Sequence, residues 1–195
     1  MSTPGAKDQT NHDLASILRE YWICYGGLPA LVKSPFLWLS IGLLILTCQF
    51  WTTEDWWDQV ISIMPNILGF TLGGFAVFLG FGDEKFKAII SGKDPEEGDC
   101  PSPYMEVCSA FLHFVMVQVA SILIAVVSKA LDFPTPELLK SLQPTLQIGR
   151  LLGGLFGYWL FLYGLCIALA SAIAIFRVAL WYDGYQTGNR DDPSS

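Results

Sequence analysis

The sequence predicts an all-α integral membrane protein with four transmembrane helices. Three observations lead to this fold class: 52% of the 195 residues are hydrophobic while only 15% are charged, the mean hydropathy is +0.44, and long stretches hold no charge. Ordinary soluble domains carry about 25% charged residues, and a soluble helical bundle shows a polar stripe on each helix, which these stretches lack. The net charge of −7 argues against nucleic acid as a partner, because nucleic-acid-binding domains are usually basic.

We locate the spans as apolar stretches of sufficient length, since about 20 apolar residues cross the hydrocarbon core of a bilayer. The first predicted span is short, and residues of the LPALVKSP stretch before it are expected to complete the crossing. The Lys33 side chain in this stretch can extend to the interface. The second and fourth are uncharged, and the only titratable side chain of the third that changes charge near neutral pH is His113. The four predicted spans are 35–52, 60–82, 107–128 and 151–176.

The distribution of Lys and Arg predicts that both termini are cytoplasmic, because cytoplasmic loops are enriched in these residues. With the termini on one side, the opposite side receives only Lys129, Lys140 and Arg150 of the 11 Lys and Arg residues. No cleavable signal peptide is expected, since the first residues lack an apolar segment. The predicted organisation is a cytoplasmic tail (1–34), a transmembrane domain (35–182) with a cytoplasmic loop at 83–106, and a disordered cytoplasmic tail (183–195).

The N-terminal segment before the first span contains a predicted short helix. Apolar residues recur at helical spacing between Asp13 and Tyr25, which is typical of an amphipathic helix lying in the membrane interface. A continuous extension of the first span is the alternative. Gly26, Gly27 and Pro29 are expected to break the helix.

The second predicted span contains IMPNILGFTLGGFAVFLGFGDEKF and is the most informative segment of the chain. Small and polar residues recur along it at steps of three and four, which places them on one face of a helix. We call this face the small-residue stripe. It consists of Asn66, Gly69, Gly73, Ala76, Gly80 and Asp83, followed directly by Glu84.

Two interpretations of the small-residue stripe compete. Small residues let two helix backbones approach closely, since helix association in lipid depends on van der Waals contact. Alternatively, copies of the helix around a symmetry axis present Asn66 near the outer end of a pore. Asp83 and Glu84 would then form an acidic ring at its cytoplasmic mouth, as in cation-selective channels. The glycines alone favour close helix packing, but the polar residues at both ends of the stripe support the pore-lining interpretation equally well.

The third span contains one ionisable and one strongly polar side chain at membrane depth, His113 and Gln118. Such residues are functional candidates, and a proton-relay or pH-gating role for His113 is one interpretation. The preferred interpretation is a neutral histidine that is hydrogen-bonded to a neighbouring helix. Gln118 lies on a different face and is expected to bond between helices.

The fourth span carries a second set of small residues. Gly153 and Gly157 form a GxxxG pair, and Gly157, Gly164 and Ser171 repeat at seven-residue spacing. This pattern predicts a tight packing face without chemistry.

Nothing in the sequence indicates an enzyme. It contains no phosphate-binding glycine loop and no HExxH motif, and one histidine (His12) lies in the N-terminal tail while the other lies in a span. We therefore expect no cofactor and no metal site.

The LGFTLGGFAVFLGFGDEKF segment resembles the channel-type membrane subunits of bacterial anti-phage defence systems. The resemblance covers the second span and its exit. It implies a symmetric homo-oligomer in the bacterial inner membrane. Some such effectors carry a large soluble sensor domain, which has no counterpart in this sequence. A soluble cytoplasmic partner that binds 83–106 or the tails is therefore one candidate for the component that gates the channel.

The sequence thus leads to two functional hypotheses for a protein embedded in the lipid bilayer. The first is a homo-oligomeric ion-conducting channel whose second helix lines the ion path. The second is a non-conducting scaffold that packs through its glycine faces and docks a soluble cytoplasmic partner.

Overall fold

The computed structural model describes residues 14–52, 55–82, 84–91, 101–132 and 143–191, and all regular structure within them is α-helical. Helix boundaries follow local signals, such as the Ser102 side chain that accepts a hydrogen bond from the Met105 amide at the start of the seventh helix. In chain order the helices are α1 (Leu14–Tyr25), α2 (Gly27–Lys33), α3 (Pro35–Leu46), α4 (Cys48–Thr52), α5 (Trp56–Gly80), α6 (Glu84–Ile90), α7 (Pro103–Ala130) and α8 (Gln143–Asp191).

Three of the described helices, α5, α7 and α8, are long and apolar enough to cross a membrane. A fourth crossing exists if α2 and α3, which are bent by 56° relative to each other, form one broken span. The predicted all-helical class is therefore confirmed for the described residues, with three candidate membrane-spanning helices, or four if α2 and α3 form one span.

The N-terminal part is more broken than the predicted single span at 35–52. Gly26 adopts a left-handed conformation (φ 90) that favours glycine, so α1 ends there and is not a continuous extension of the first span. Ser34 is extended before Pro35, which disfavours helix at the preceding residue and separates α2 from α3. A further turn at Thr47 separates α3 from α4.

The C-terminal helix corrects another prediction. Helix α8 continues to Asp191, so the stretch 183–191 is helical and not a disordered tail. Two features support this extension: Gln186 Nε2 donates a hydrogen bond to Tyr182 Oη at 2.8 Å, and the rings of Tyr182 and Tyr185 pack against Phe86 of α6. Residues 192–195 lie outside the described part of the chain.

Helices α5, α7 and α8 pack against one another and form the centre of the bundle, while α3 packs on α8 and α1 packs on α7. One core cluster includes Trp56, Met64 and Phe161, and the other includes Phe78, Phe111 and Val178. The outer surface of the same helices exposes large apolar side chains, which suits contact with lipid. This arrangement decides which face of each long helix is buried and which is presented outward.

Candidate functional site

The small-residue stripe faces outward on α5. Asn66, Gly69, Gly73, Ala76 and Gly80 are all exposed. For the three glycines, no atom of another described segment lies within 4 Å of the position that a Cβ would occupy. Within the described part of the chain, the stripe therefore packs against no other helix.

The side of α5 that packs against α7 and α8 carries Gly74, the residue after Gly73 of the stripe. A Cβ at Gly74 would lie 2.8 Å from Ile175 Cδ1 of α8 and 3.8 Å from Phe111 Cε1 of α7. Buried Val60, Met64 and Thr71 lie on the same packed side of the helix. Helix α5 thus packs closely inside the monomer at Gly74, whereas no other described segment covers the small-residue stripe.

Asn66 is the polar member of this outward face. Its Nδ2 donates a hydrogen bond to the Ser62 carbonyl at 3.2 Å within its own helix. Asn66 lies about 15 Å along the helix axis from Trp56, the first residue of α5. An exposed amide at this depth favours a polar partner, because hydrocarbon offers none.

The acidic end of the predicted stripe is not part of α5. The helix ends at Gly80, Phe81 is extended, and Gly82 adopts a left-handed conformation (φ 81). The helical register that would align Asp83 with Gly80 is therefore interrupted. Asp83 lies outside the described residues, and Glu84 is exposed at the start of the separate helix α6.

His113 is buried and lies at the centre of a partly buried aromatic cluster. Its Nδ1 is 2.8 Å from Tyr21 Oη of α1, and its Nε2 is 3.0 Å from Tyr163 Oη of α8. The Tyr25 ring stacks on the imidazole with 4.2 Å between ring centroids. One ring nitrogen donates and the other accepts in a neutral imidazole, and each phenol can take either role, so both bonds can form at once.

This cluster, which we call the histidine latch (Tyr21, Tyr25, His113 and Tyr163), joins α1 to the bundle. Burial, and to a lesser extent the neighbouring Tyr25, raises the pKa of Tyr21 to about 12. The arrangement matches the preferred interpretation of His113 as a residue bonded to neighbouring helices. Sequence reasoning missed the three tyrosines, because no local spacing relates them to His113.

Gln118 lies at a second polar point, where α7 faces α5. Its Nε2 donates to Thr71 Oγ1 at 3.0 Å, and Thr71 in turn donates to the Ile67 carbonyl at 3.0 Å. Gln118 Oε1 and the Ser121 hydroxyl are buried and have no hydrogen-bond partner among the described residues. The expected bond between helices is present, and its partner is Thr71.

The small residues of α8 divide into contacting and open positions. A Cβ at Gly157 would collide with the Trp56 ring, and a Cβ at Gly164 would lie 2.8 Å from Met64 Cε. Ser171 is buried and donates to the Ala168 carbonyl at 2.7 Å. Gly153 has no atom within 4 Å of its Cβ position, so Gly154, which faces the Trp51 carbonyl, replaces it in the packing face.

Among the described residues, no group of three or more His, Cys, Asp and Glu side chains is arranged to hold a metal ion. No known protein family, curated protein or solved structure matches the chain. The molecule is thus defined by its own geometry: a helical membrane protein with an outward small-residue stripe, a histidine latch and a packed three-helix centre.

Proposed function

We propose that this protein self-associates through α5 as a symmetric homo-oligomer and that α5 borders an ion-conducting path in the assembly. The observation that carries the proposal is the exposed stripe from Asn66 to Gly80, which no described helix covers. Helices in lipid associate through small residues that permit close approach and through polar side chains that bond across the contact. The stripe provides both.

In a ring of copies, Asn66 supplies a ring of amides towards the outer end of the path. Side-chain amides bear a carbonyl oxygen that replaces part of an ion's hydration shell. Asp83 and Glu84 follow α5 in the sequence, and carboxylates at the mouth of a pore attract cations. With both termini cytoplasmic, as the distribution of Lys and Arg predicts, this exit opens to the cytoplasm.

The resemblance of the α5 segment to channel-type subunits of anti-phage systems supports the same proposal and adds a setting, the bacterial inner membrane. In that setting a soluble cytoplasmic partner that binds 83–106 or the tails gates the channel. Helix α6 lies in this loop, and its exposed residues, among them Glu84, Lys85 and Ile89, can contact such a partner.

A non-conducting scaffold is the second candidate, and a specific observation favours it. Between Asn66 and the end of α5 the stripe offers only Gly69, Gly73, Ala76 and Gly80, which carry no polar side-chain atoms. A surface of this kind suits dry helix–helix contact better than a wetted wall.

The first experiment tests self-association with a matched pair of variants. Gly73→Leu fills the stripe, whereas Gly42→Leu adds the same side chain to α3 at an exposed glycine that also has open space around it. We expect wild type and Gly42→Leu to be oligomeric in nanodiscs by light scattering, and Gly73→Leu to be monomeric. A monomeric wild type, or an oligomer that tolerates Gly73→Leu, would contradict the role of the stripe.

The second experiment separates a channel from a scaffold. Purified protein is incorporated into planar bilayers, and single-channel conductance is compared between wild type, the double variant Asn66→Ala/Asp83→Ala, and Gly42→Leu. The channel predicts cation conductance that the double variant lowers and Gly42→Leu preserves. A stable oligomer that gives silent bilayers, or a conductance that the double variant does not change, supports the scaffold.

A further inference from the structure

A pocket of ≈ 400 Å³ opens between the end of α1, the start of α7 and the C-terminal half of α8. It is separate from the small-residue stripe, which lies on α5. Its walls combine apolar, aromatic and charged side chains. Those that matter here are Ile23, Cys24 and Tyr25 from α1, Glu106 and Ala110 from α7, and Arg177 from α8.

Two opposite charges line this pocket without neutralising each other. Glu106 and Arg177 are both exposed, and neither forms an ion pair within the described residues. The Arg177 guanidinium lies 4.9 Å from the centroid of the Trp181 ring, a cation–π contact that restrains it. An anionic group and a cationic group of one ligand can therefore be bound at the same time.

The charge pattern of α7 and α8 predicts that the pocket lies at the level of the lipid headgroups. Glu106 is the last charged residue before the uncharged stretch 107–128, and Arg177 is the first charged residue after the uncharged stretch 151–176. Both helices thus leave the hydrocarbon core at this height. Exposed Ile23 beside the pocket continues the apolar surface towards the acyl chains.

We propose that this pocket binds the headgroup of a zwitterionic phospholipid with a primary ammonium, of the phosphatidylethanolamine type. Arg177 binds the phosphate, because a guanidinium presents parallel N–H groups that match phosphate oxygens. The Glu106 carboxylate accepts hydrogen bonds from the ammonium. A trimethylammonium headgroup has no N–H to donate and an anionic headgroup without ammonium meets the Glu106 charge, so the pocket discriminates against both.

A headgroup bound in the pocket also affects the histidine latch, because the two share Tyr25. Tyr25 lines the pocket on one side and stacks on His113 on the other. A headgroup held between α1 and α7 therefore stabilises the seating of α1 on the bundle.

Cys24 provides a native reporter, because its partly exposed thiol lines the pocket. The protein is reconstituted in nanodiscs of phosphatidylcholine, alone or mixed with phosphatidylethanolamine or phosphatidylglycerol, and its alkylation is followed peptide by peptide. Phosphatidylethanolamine is expected to slow alkylation of Cys24 about tenfold at roughly ten times its Kd. The exposed thiol of Cys48 on α4 is the internal control and keeps its rate.

Variants assign the effect to the two charges. Arg177→Gln should abolish protection by phosphatidylethanolamine, and Glu106→Gln should remove its advantage over phosphatidylglycerol. Arg150→Gln, which removes an arginine of the same helix outside the pocket, should leave protection unchanged. Protection of wild type by phosphatidylglycerol equal to that by phosphatidylethanolamine, or protection that survives Arg177→Gln, would overturn the proposal.

A final arm distinguishes the source of the headgroup. Free phosphoethanolamine carries the same charges without acyl chains and is added to nanodiscs of phosphatidylcholine alone. The lipid assignment predicts no protection of Cys24 at concentrations where phosphatidylethanolamine protects. Equal protection by free phosphoethanolamine would replace the lipid with a soluble ligand and overturn the assignment.

Discussion

The contact between Gly157 of α8 and Trp56 of α5 gives a quantitative test of the packed centre. A Cβ added at Gly157 would collide with the Trp56 ring and lie 2.9 Å from Ile124 Cγ2 of α7. Trp56 is only 5% exposed, so its ring has little room to move away. Overpacking of this kind costs about 1–3 kcal/mol in a well-packed core.

Gly153, one turn earlier on the same helix, is the matched control, since a Cβ there meets nothing within 4 Å. Replacing glycine by alanine inside a helix stabilises it by about 0.5–1 kcal/mol. This contribution is common to Gly153→Ala and Gly157→Ala. The difference between the two variants therefore isolates the overpacking cost, about 1–3 kcal/mol, with Gly157→Ala the less stable.

The assay is reversible unfolding in mixed detergent micelles, titrated with dodecyl sulfate and followed by far-ultraviolet circular dichroism. In thermal melts the same difference corresponds to roughly 2–4 °C per kcal/mol for a chain of this length. Equal stability of Gly157→Ala and Gly153→Ala would refute the placement of Trp56 against α8.

Two further predictions concern the buried polar groups. Thr71→Val removes the acceptor for Gln118 Nε2 and should lower the free energy of unfolding by about 1–3 kcal/mol in the same assay. Adding Gln118→Leu should recover most of that loss. A double variant as unstable as Thr71→Val alone would contradict the hydrogen bond. Tyr21 should titrate near pH 12 in an ultraviolet difference titration that compares wild type with Tyr21→Phe. Because burial raises its pKa in the folded state, its contribution to stability is complete below about pH 10 and is lost as the pH rises towards 12. An ordinary tyrosine titration of this residue would show that α1 is not seated on α7.

The sequence predicted some features well because they depend on local composition. The second span was expected at 60–82 and is found as Trp56–Gly80, and the third at 107–128 lies within Pro103–Ala130. Lipid excludes charge from each helix separately, so the apolar stretches alone indicate the spans. The break at Gly26 was equally local, because glycine reaches the left-handed conformation at no steric cost.

Other features escaped the sequence because they depend on contacts between distant segments. The partner of His113 on α1, Tyr21, is 92 residues away in the chain. Helical periodicity carried the stripe on to Asp83, but the chain leaves the helix after Gly80. The tail from 183 has a polar composition typical of disorder, yet Tyr182 and Tyr185 pack on Phe86 and α8 continues.

The sequence by itself determined that the chain forms apolar helices for a membrane and that α5 carries a row of small residues. Only the tertiary structure decided that Gly74 packs inside the monomer while Gly69 and Gly73 face outward. The reason is physical: solvation of a helix by lipid depends on its own side chains, whereas the choice of its buried face depends on shape complementarity with helices far away in the chain. The outward face of α5 is therefore the surface on which oligomer formation and conduction are to be tested.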